Sequence, residues 1–437
     1  MKPRPVGLEI ALIAILCFLA YAPSLSIPLL EDDYGNLSFA WDHGSLASLP
    51  ALFHEAVFRL RATSYWLMFA LWKGFGLAPW AYRWASLALH FANSCLVFAV
   101  VRLVFAVGGD RAEPRPAWAA SAGFWAAAFF AVYEGHQEAI MWFSASNELL
   151  LFLFGASSLL CWLLAWRADV PRARSRVLEA VSVAAFGLAL LSKESAIVWL
   201  PLFLLAAAPN WRRSAIRLWP HLGLAALAVA SVLSTRGYSF RFSDGSFSLA
   251  APFWITWPRS FARVLWVWGW LALAVVAWFR ESKLLKRALG ALAWIGIALA
   301  PYSFLTYSTQ IPSRQTYLAS AGLAFVFGLA MGRLRAGAGA ARKLAAVAAV
   351  AMVVSNVAYL ATKKRTQFLR RAEPTEQLIR LARRTPGPIW VQCFPRSRYI
   401  AEEAVRVGAG RSPDILVWSQ AEAAARKAEA TFCFEER

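Results

Sequence analysis

At 437 residues, with 59% hydrophobic content and a mean hydropathy of +0.49, the chain carries more apolar sequence than a soluble core takes up. Apolar stretches of about 17–25 residues recur, the length that a roughly 30 Å hydrocarbon layer demands of a helix, and the ten-residue alternation of a closed barrel is absent. The formal net charge of +20, from 45 basic and 25 acidic residues, does not mark a nucleic-acid binder, because the basic residues sit in short loops between apolar segments.

The first span is expected at about 7–29, in VGLEIALIAILCFLAYAPSLSIPLL. Its basic start also fits a cleaved signal peptide, but the run is longer than a signal core and no A-x-A-like site precedes the acids that follow. Further spans are expected at about 81–106, 117–134, 148–166, 176–191, 195–209, 216–235, 260–279, 287–304, 316–334 and 343–362. The basic loops fall at 102–115, 167–176, 212–217, 280–287 and 333–343. Each follows an even-numbered span, so all five lie on one side with Lys2 and Arg4. By the positive-inside rule that side is cytoplasmic. The stretch 195–209 is short for a span and is bounded by Lys193 and Glu194. An odd span count places the C-terminal tail outside, against the grain of the KKR at 363–365.

From about 373 the pattern changes. TEQLIRLARR, RYIAEEAVRVG and QAEAAARKAEA read as helices; PIWVQCF, DILVWS and TFCFEE read as strands. The expected organisation is a membrane domain over 1–365 and a small extracytoplasmic α/β domain over 366–437. Cys393 and Cys433 lie in the latter and are able to pair if it is extracytoplasmic. Cys17, Cys95 and Cys161 sit in apolar segments as small buried residues. The segment RLRAGAGAARK follows no strand and reads as a loop, not a nucleotide site.

Charged residues beside a membrane are functional candidates because placing them there is costly. The outer loops carry four such groups. The first is Glu31, Asp32 and Asp33, where mutual repulsion raises at least one pKa unless a cation stands by. Such a group suits a general base or a metal, or merely marks a translocated loop. The second is YEGHQEAIMWFSASNE, with Glu134, His136, Glu138 and Glu148. Asp32, Glu138 and His136 are candidate ligands for a divalent ion such as Mg or Mn. The third is Lys193 with Glu194, either an ion pair closing a helical hairpin or an anion-binding site. The fourth is Arg314 with Tyr317 in IPSRQTYL, with Arg59 and Arg61 adding cations. Guanidinium groups suit the phosphate of a lipid-linked donor, and a carboxylate suits activation of an acceptor hydroxyl.

These pieces, in order, resemble the membrane glycosyltransferases of the GT-C fold, which use polyprenyl- or dolichyl-phosphate sugars. The similarity is to the protein O-mannosyltransferases and the transmembrane, TPR-containing mannosyltransferases, and it covers about 25–335. It rests on EDDY after the first span, RLRATSYWLMFALWKGFGLAPWAYRWASLALHFANSCLVF, GHQEAIMWFSASNELLLFLF, LLSKESAIVWLP and IPSRQTYLASAGLAFVFG. With the spans and tail read above, the expected fold is an all-α polytopic membrane protein of about eleven transmembrane helices, GT-C-like, with a small C-terminal α/β domain where TPR-containing members carry a TPR array. The resemblance implies inverting transfer from a polyprenyl-phosphate sugar to a hydroxyl of a protein Ser/Thr, an envelope glycan or a lipid, on the outer face of the inner (cytoplasmic) membrane. Asp33 would be the base, with Asp32 second, and Glu138 the second-loop acid near the acceptor or metal. Arg61, His136, Lys193, Glu194, Arg314 and Tyr317 would bind substrate, Lys193 and Arg314 facing the donor phosphate. His90 matches a family position, where a buried, hydrogen-bonded role is expected. The chain departs from the family at Tyr133-Glu134, where His-Pro is common, and at Ala62-Thr63, where Pro-Leu is common. The competing class is a transporter or lipid-carrier flippase, which predicts paired broken helices and charges near mid-span.

Overall fold

The computed structural model describes residues 5–107, 118–165, 167, 170–207, 215–234 and 248–435. The expected basic loop over 108–115, residues 212–214 of the loop before Arg217, and the outer loop over 235–247 lie outside the described residues. Among the described residues, seven helices are long and apolar enough to cross a membrane: Val6–Ser26, Pro79–Val104, Phe143–Ala165, Phe253–Phe279, Ser282–Phe304, Ser313–Ala336 and Ala340–Arg384. Ser121–Val132, Glu194–Ala206 and Trp219–Leu233 are apolar but shorter. Together with Arg172–Leu190, whose first turns carry arginines, they place a helix at every one of the expected spans. The chain is a polytopic helical membrane protein.

We label the elements that position the site α1 (Val6–Tyr21), α2 (Asp32–His43), α3 (Pro79–Val107), α4 (Ala119–Val132), α5 (Ser146–Ala165), α6 (Arg172–Leu190), α7 (Trp219–Ser234), α8 (Tyr317–Ala336), α9 (Ala340–Tyr359) and α10 (Arg365–Arg384). The bundle centre is α4 against α8. A Cβ at Gly328 would sit 2.5 Å from the Ala122 carbonyl oxygen, and one at Gly332 2.7 Å from that of Trp118. The two backbones therefore touch, the close approach small residues permit between membrane helices. Outward faces stay apolar: Trp270, Leu271, Val347, Val350 and Val354 are all exposed, as lipid-facing positions should be.

One end of the bundle gathers the basic ends of helices. Arg102 pairs with Glu9 at the start of α1 at 3.3 Å, and Arg333 pairs with Glu281 at 2.6 Å. At the other end α1 closes with a 3-10 turn through Pro23, and the chain reaches Glu31, whose φ of 37° starts α2 abruptly.

α9 runs on through a π-helical stretch, Leu360–Lys364, into α10, so the expected boundary at 365/366 falls inside one continuous helix. Beyond it lie β1 (Ile389–Cys393), β2 (Leu416–Val417) and β3 (Ala430–Cys433), all parallel in the order β2-β1-β3. Leu378, Ala382, Ile389, Val391, Val405, Leu416 and Phe432 form a small core of their own. Cys393 and Cys433 are joined in a disulfide that ties β1 to β3. This α/β unit sits on α2: Tyr34 donates to Glu376 at 2.9 Å, and Arg406 donates to Ser38.

Candidate functional site

The acids of EDDY divide into three different environments. Glu31 is buried and accepts from Arg371 at 2.8 Å and from Arg396 at 2.6 Å. Burial alone would raise its pKa, but the two guanidiniums hold the carboxyl below its usual value. Glu31 thereby joins the first loop to α10 and to the loop after β1.

Asp33 is 1% exposed. Its Oδ1 accepts from the Ser144 amide at 2.7 Å and the Ser144 hydroxyl at 2.6 Å, and its Oδ2 accepts from the Leu30 amide at 2.8 Å. Buried Arg83 stands 3.9 Å away, donating to the carbonyls of Ile27 and Pro28. Asp33 thus pins the loop between α1 and α2 onto the loop before α5, and its oxygens are already engaged.

Asp32, at the first turn of α2, is half-buried and takes no hydrogen bond or ion pair among the described residues. Burial raises its pKa, the charges of Glu31 and Asp33 raise it further, and Arg314 and Arg371 pull the other way. Those guanidiniums lie over one indole: Arg314 stands 4.9 Å and Arg371 4.7 Å from the Trp142 ring centroid. Glu138 fixes the first of them, its Oε2 accepting from the Arg314 amide at 3.1 Å with the guanidinium 3.7 Å away. Asp32, Glu138, Arg314, Arg371 and Trp142 therefore form one polar neighbourhood beneath the α/β unit.

The other predicted residues lie elsewhere. Lys193 is buried, donates to Glu148 and rests 4.7 Å from the Tyr302 ring. The Tyr302 hydroxyl donates to the second Glu148 oxygen at 3.2 Å. Arg61 and Glu194, both partly exposed, pair at 2.5 Å. The SKE turn is thus the ion-paired hairpin closure, with Lys193 bound to an acid 45 residues upstream.

His136 and Tyr317, expected to bind substrate, are fully buried and face the helix core. His136 Nε2 meets Ser320 Oγ at 2.5 Å; the Tyr317 hydroxyl meets His90 Nδ1 at 2.8 Å and accepts from Asn93 at 3.2 Å. His90 Nε2 faces the Ala131 carbonyl at 3.1 Å, so Nε2 carries the proton and Tyr317 donates to Nδ1. These contacts join the groups inside the bundle, where Asn93 Oδ1 and His136 Nδ1 are left without a hydrogen-bond partner among the described residues.

Of the three expected metal ligands, His136 is the one taken up in this buried network. Asp32 and Glu138 share their surroundings with Arg314 and Arg371. Among the described residues no three of His, Cys, Asp and Glu are grouped to hold a metal ion. Asp32 and Glu138 are the two carboxylates left in this neighbourhood, and one or two carboxylates with waters and substrate phosphates are a usual setting for Mg.

Three residues of this site carried no sequence signal that linked them to it. Arg371 and Arg396 lie some 340 and 365 positions from Glu31, and Arg83 some 55 from Pro28. Trp142 lies within the GHQEAIMWFSASNE motif, where the resemblance marked a following Trp without giving it a role.

No protein-family model matches the chain, and no curated protein does. Solved structures do. The chain is similar to the Archaeoglobus fulgidus oligosaccharyltransferase AglB in complex with an inhibitory peptide and a dolichol-phosphate, at 13% identity and TM-score 0.55. That match covers 95% of this chain and 64% of the other, so the chain spans under two thirds of the archaeal protein's length. A structure of the same oligosaccharyltransferase in complex with Zn and sulfate matches at 13% identity and TM-score 0.52, covering 94% and 62%. ArnT from Cupriavidus metallidurans, bound to undecaprenyl phosphate, matches at 15% identity and TM-score 0.51, covering 95% of this chain and 90% of that one. The fold is GT-C. Within that fold the Asp32 neighbourhood occupies the first loop after α1, the loop before α5 and the turn before α8.

Proposed function

We propose that the protein is an integral-membrane glycosyltransferase moving a sugar from a polyprenyl-phosphate carrier to an acceptor hydroxyl, with inversion at the anomeric carbon. One observation carries the reading: Asp32, a half-buried carboxylate without a hydrogen-bond or ion-pair partner among the described residues, stands in the field of two guanidiniums gathered on Trp142. Asp32 takes the proton of the acceptor hydroxyl as that oxygen attacks the anomeric carbon. The bond from that carbon to the phosphate oxygen breaks, and polyprenyl phosphate leaves with the electron pair. Arg314 and Arg371 balance the charge gathering on the departing phosphate. Glu138 orients Arg314, and Asp33, with its oxygens occupied, positions the loop that presents Asp32. Asp32, rather than Asp33, is therefore the base in this reading. Arg61 and Glu194 remain accessible enough to meet substrate; Lys193, His136 and Tyr317 act through packing. No step is routed through a metal ion.

The GT-C neighbours support a lipid-linked donor, since one is bound to undecaprenyl phosphate and another to a dolichol-phosphate. The peptide in the second supports a protein acceptor, and mannose as the sugar rests on the family resemblance alone. We place the reaction at the extracytoplasmic face of the cytoplasmic membrane, with the N-terminus inside and the α/β unit outside, on the distribution of the basic loops. The test is transfer by the purified full chain in nanodiscs, supplied with polyprenyl-phosphate sugars, mannose among them, and with Ser/Thr peptides or envelope lipids. Transfer that Asp32→Asn removes supports the reading. Absence of transfer by the unaltered protein across all donors would favour transport instead. Glycan mass spectrometry on a deletion strain identifies the acceptor.

A further inference from the structure

A second polar site lies at the opposite end of the bundle. A cavity of about 540 Å³ opens where the first turns of α6 and α7 meet, lined by Arg172, Arg176, Glu179, Arg217, Trp219 and His221 together with apolar neighbours that include Ile216. Ser175, on the same wall, donates to the Ala165 carbonyl at 3.0 Å, which fixes this corner at the end of α5 far from Asp32.

Arg172 and Arg176 are one helical turn apart, on one face of α6, and neither has an ion-pair partner among the described residues. Arg217 is 3.5 Å from Glu179, so that pair cancels and the cavity keeps the two α6 charges. His221 is 1% exposed. The Ser158 hydroxyl donates to the Ser182 carbonyl at 2.6 Å, and the Ser182 hydroxyl donates to the Ser158 carbonyl at 2.8 Å. The Ser182 oxygen, with its proton spent, is 3.0 Å from His221 Nε2, which must therefore be the donor there. His221 Nδ1 is left as a buried acceptor with no partner among the described residues. A buried polar atom in that state costs stability until something donates to it. Beside it, Ile216 and Trp219 are 75% and 73% exposed, an apolar rim next to two cations.

We infer that this cavity binds the headgroup of a hydroxyl-bearing anionic phospholipid. Its phosphate meets Arg172 and Arg176, a headgroup hydroxyl donates to His221 Nδ1, and its acyl chains run along Ile216 and Trp219. A free polyol phosphate offers the same polar chemistry, but the apolar rim serves only a lipid.

The full chain, reconstituted in nanodiscs of mixed phosphatidylglycerol, phosphatidic acid and phosphatidylcholine, is assayed by native mass spectrometry for retained lipid. Phosphatidylglycerol is expected to be retained over phosphatidylcholine. The double variant Arg172→Ala/Arg176→Ala should lower that retention about tenfold, the equivalent of about 1.4 kcal/mol. His221→Phe should erase the preference for phosphatidylglycerol over phosphatidic acid, whose headgroup lacks the glycerol hydroxyls. Arg342→Ala, an exposed arginine at the same end, should change nothing. Retention that the double variant leaves intact, or that Arg342→Ala lowers equally, overturns the assignment. So does displacement of the lipid by millimolar inorganic phosphate or glycerol phosphate, which would point to the free anion. Sugar transfer is not the readout, so the outcome is independent of the proposed activity.

Discussion

Around Lys193 every charge is matched within the protein: Lys193 with Glu148, Arg61 with Glu194, and the Tyr302 hydroxyl on the remaining Glu148 oxygen. Around Asp32 the matching stops one short. Glu31 takes two arginines, Glu138 takes the Arg314 amide, and Asp32 is left with cations in its field and no hydrogen bond. Both clusters contain conspicuous charges in the loops that the sequence places outside. The first is closed and holds helices together; the second keeps a carboxylate open. Chemistry favours the open one, because hydrogen bonds donated to a carboxylate stabilise its charged form and make it a weaker base toward a substrate proton.

The largest expected effect separates the two adjacent aspartates. Asp32→Asn should lower transfer by about 10²–10⁴-fold, the usual worth of a general base, with an unchanged melting temperature. Asp33→Asn should instead lower the melting temperature, because an amide cannot accept from Ser144 and Leu30 in the same way. A folded Asp33→Asn protein devoid of transfer, beside an active Asp32→Asn, would return the base to Asp33.

The closed cluster should fail by unfolding. Lys193→Met leaves Glu148 buried without its cation, and removing one partner of a buried pair costs about 3–5 kcal/mol. Thermal unfolding in detergent should drop accordingly, while activity per folded molecule persists. The second change Glu148→Leu should restore much of the loss, since apolar replacement of both partners is commonly tolerated. A Lys193→Met protein of normal stability with weakened donor binding would show that Lys193 belongs to the phosphate site after all.

Arg371 offers a smaller effect on the open side. Arg371→Ala removes one phosphate contact and should raise KM for the donor about tenfold, in line with about 1.4 kcal/mol for one charge-assisted contact. Arg371→Lys should recover only part, lacking the planar fork that reaches Glu31 and stacks on Trp142. An unchanged KM in the alanine variant would leave Arg314 as the sole phosphate partner.

Seven of the eleven expected spans coincide with helices long and apolar enough to cross a membrane, legible because such a helix announces itself over some twenty residues; the other four coincide with helices that are shorter or begin with arginines. The strands and helices of the α/β unit were legible from their alternation, and the Cys393–Cys433 pair follows from β1 and β3 lying side by side. What could not be read was orientation. Adjacent positions on a helix point about 100° apart, and which of Asp32 and Asp33 turns inward depends on Arg83 and Ser144, far along the chain. His136 looked like an outer-loop residue because the YEGHQE segment is polar. The turn after α4 instead tucks its ring among Phe130, Tyr133 and Tyr317. The arginines that complete the site come from α10 and the loop after β1, in a segment whose periodicity reports an amphipathic helix but not what it covers.

The subtlest difference between the clusters is in their response to pH. Asp32 works as a carboxylate, so transfer should be lost as pH falls through its folded pKa, which burial and then Glu31 and Asp33 raise. The acid limb of the rate profile should therefore lie above the ordinary aspartate range. Arg371→Gln removes a cation that lowers that pKa, so the limb should move to higher pH. Glu31→Gln removes an anion that raises it, so the limb should move to lower pH. Stability should follow another rule: the Glu31 carboxyl is held below its unfolded value, so its contribution is present above that value and lost as pH falls through the folded one. Opposite displacements of the limb in the two variants, read from kcat/KM against pH, would tie the rate to a group lying between Glu31 and Arg371. A limb that ignores both substitutions would remove Asp32 from the reaction.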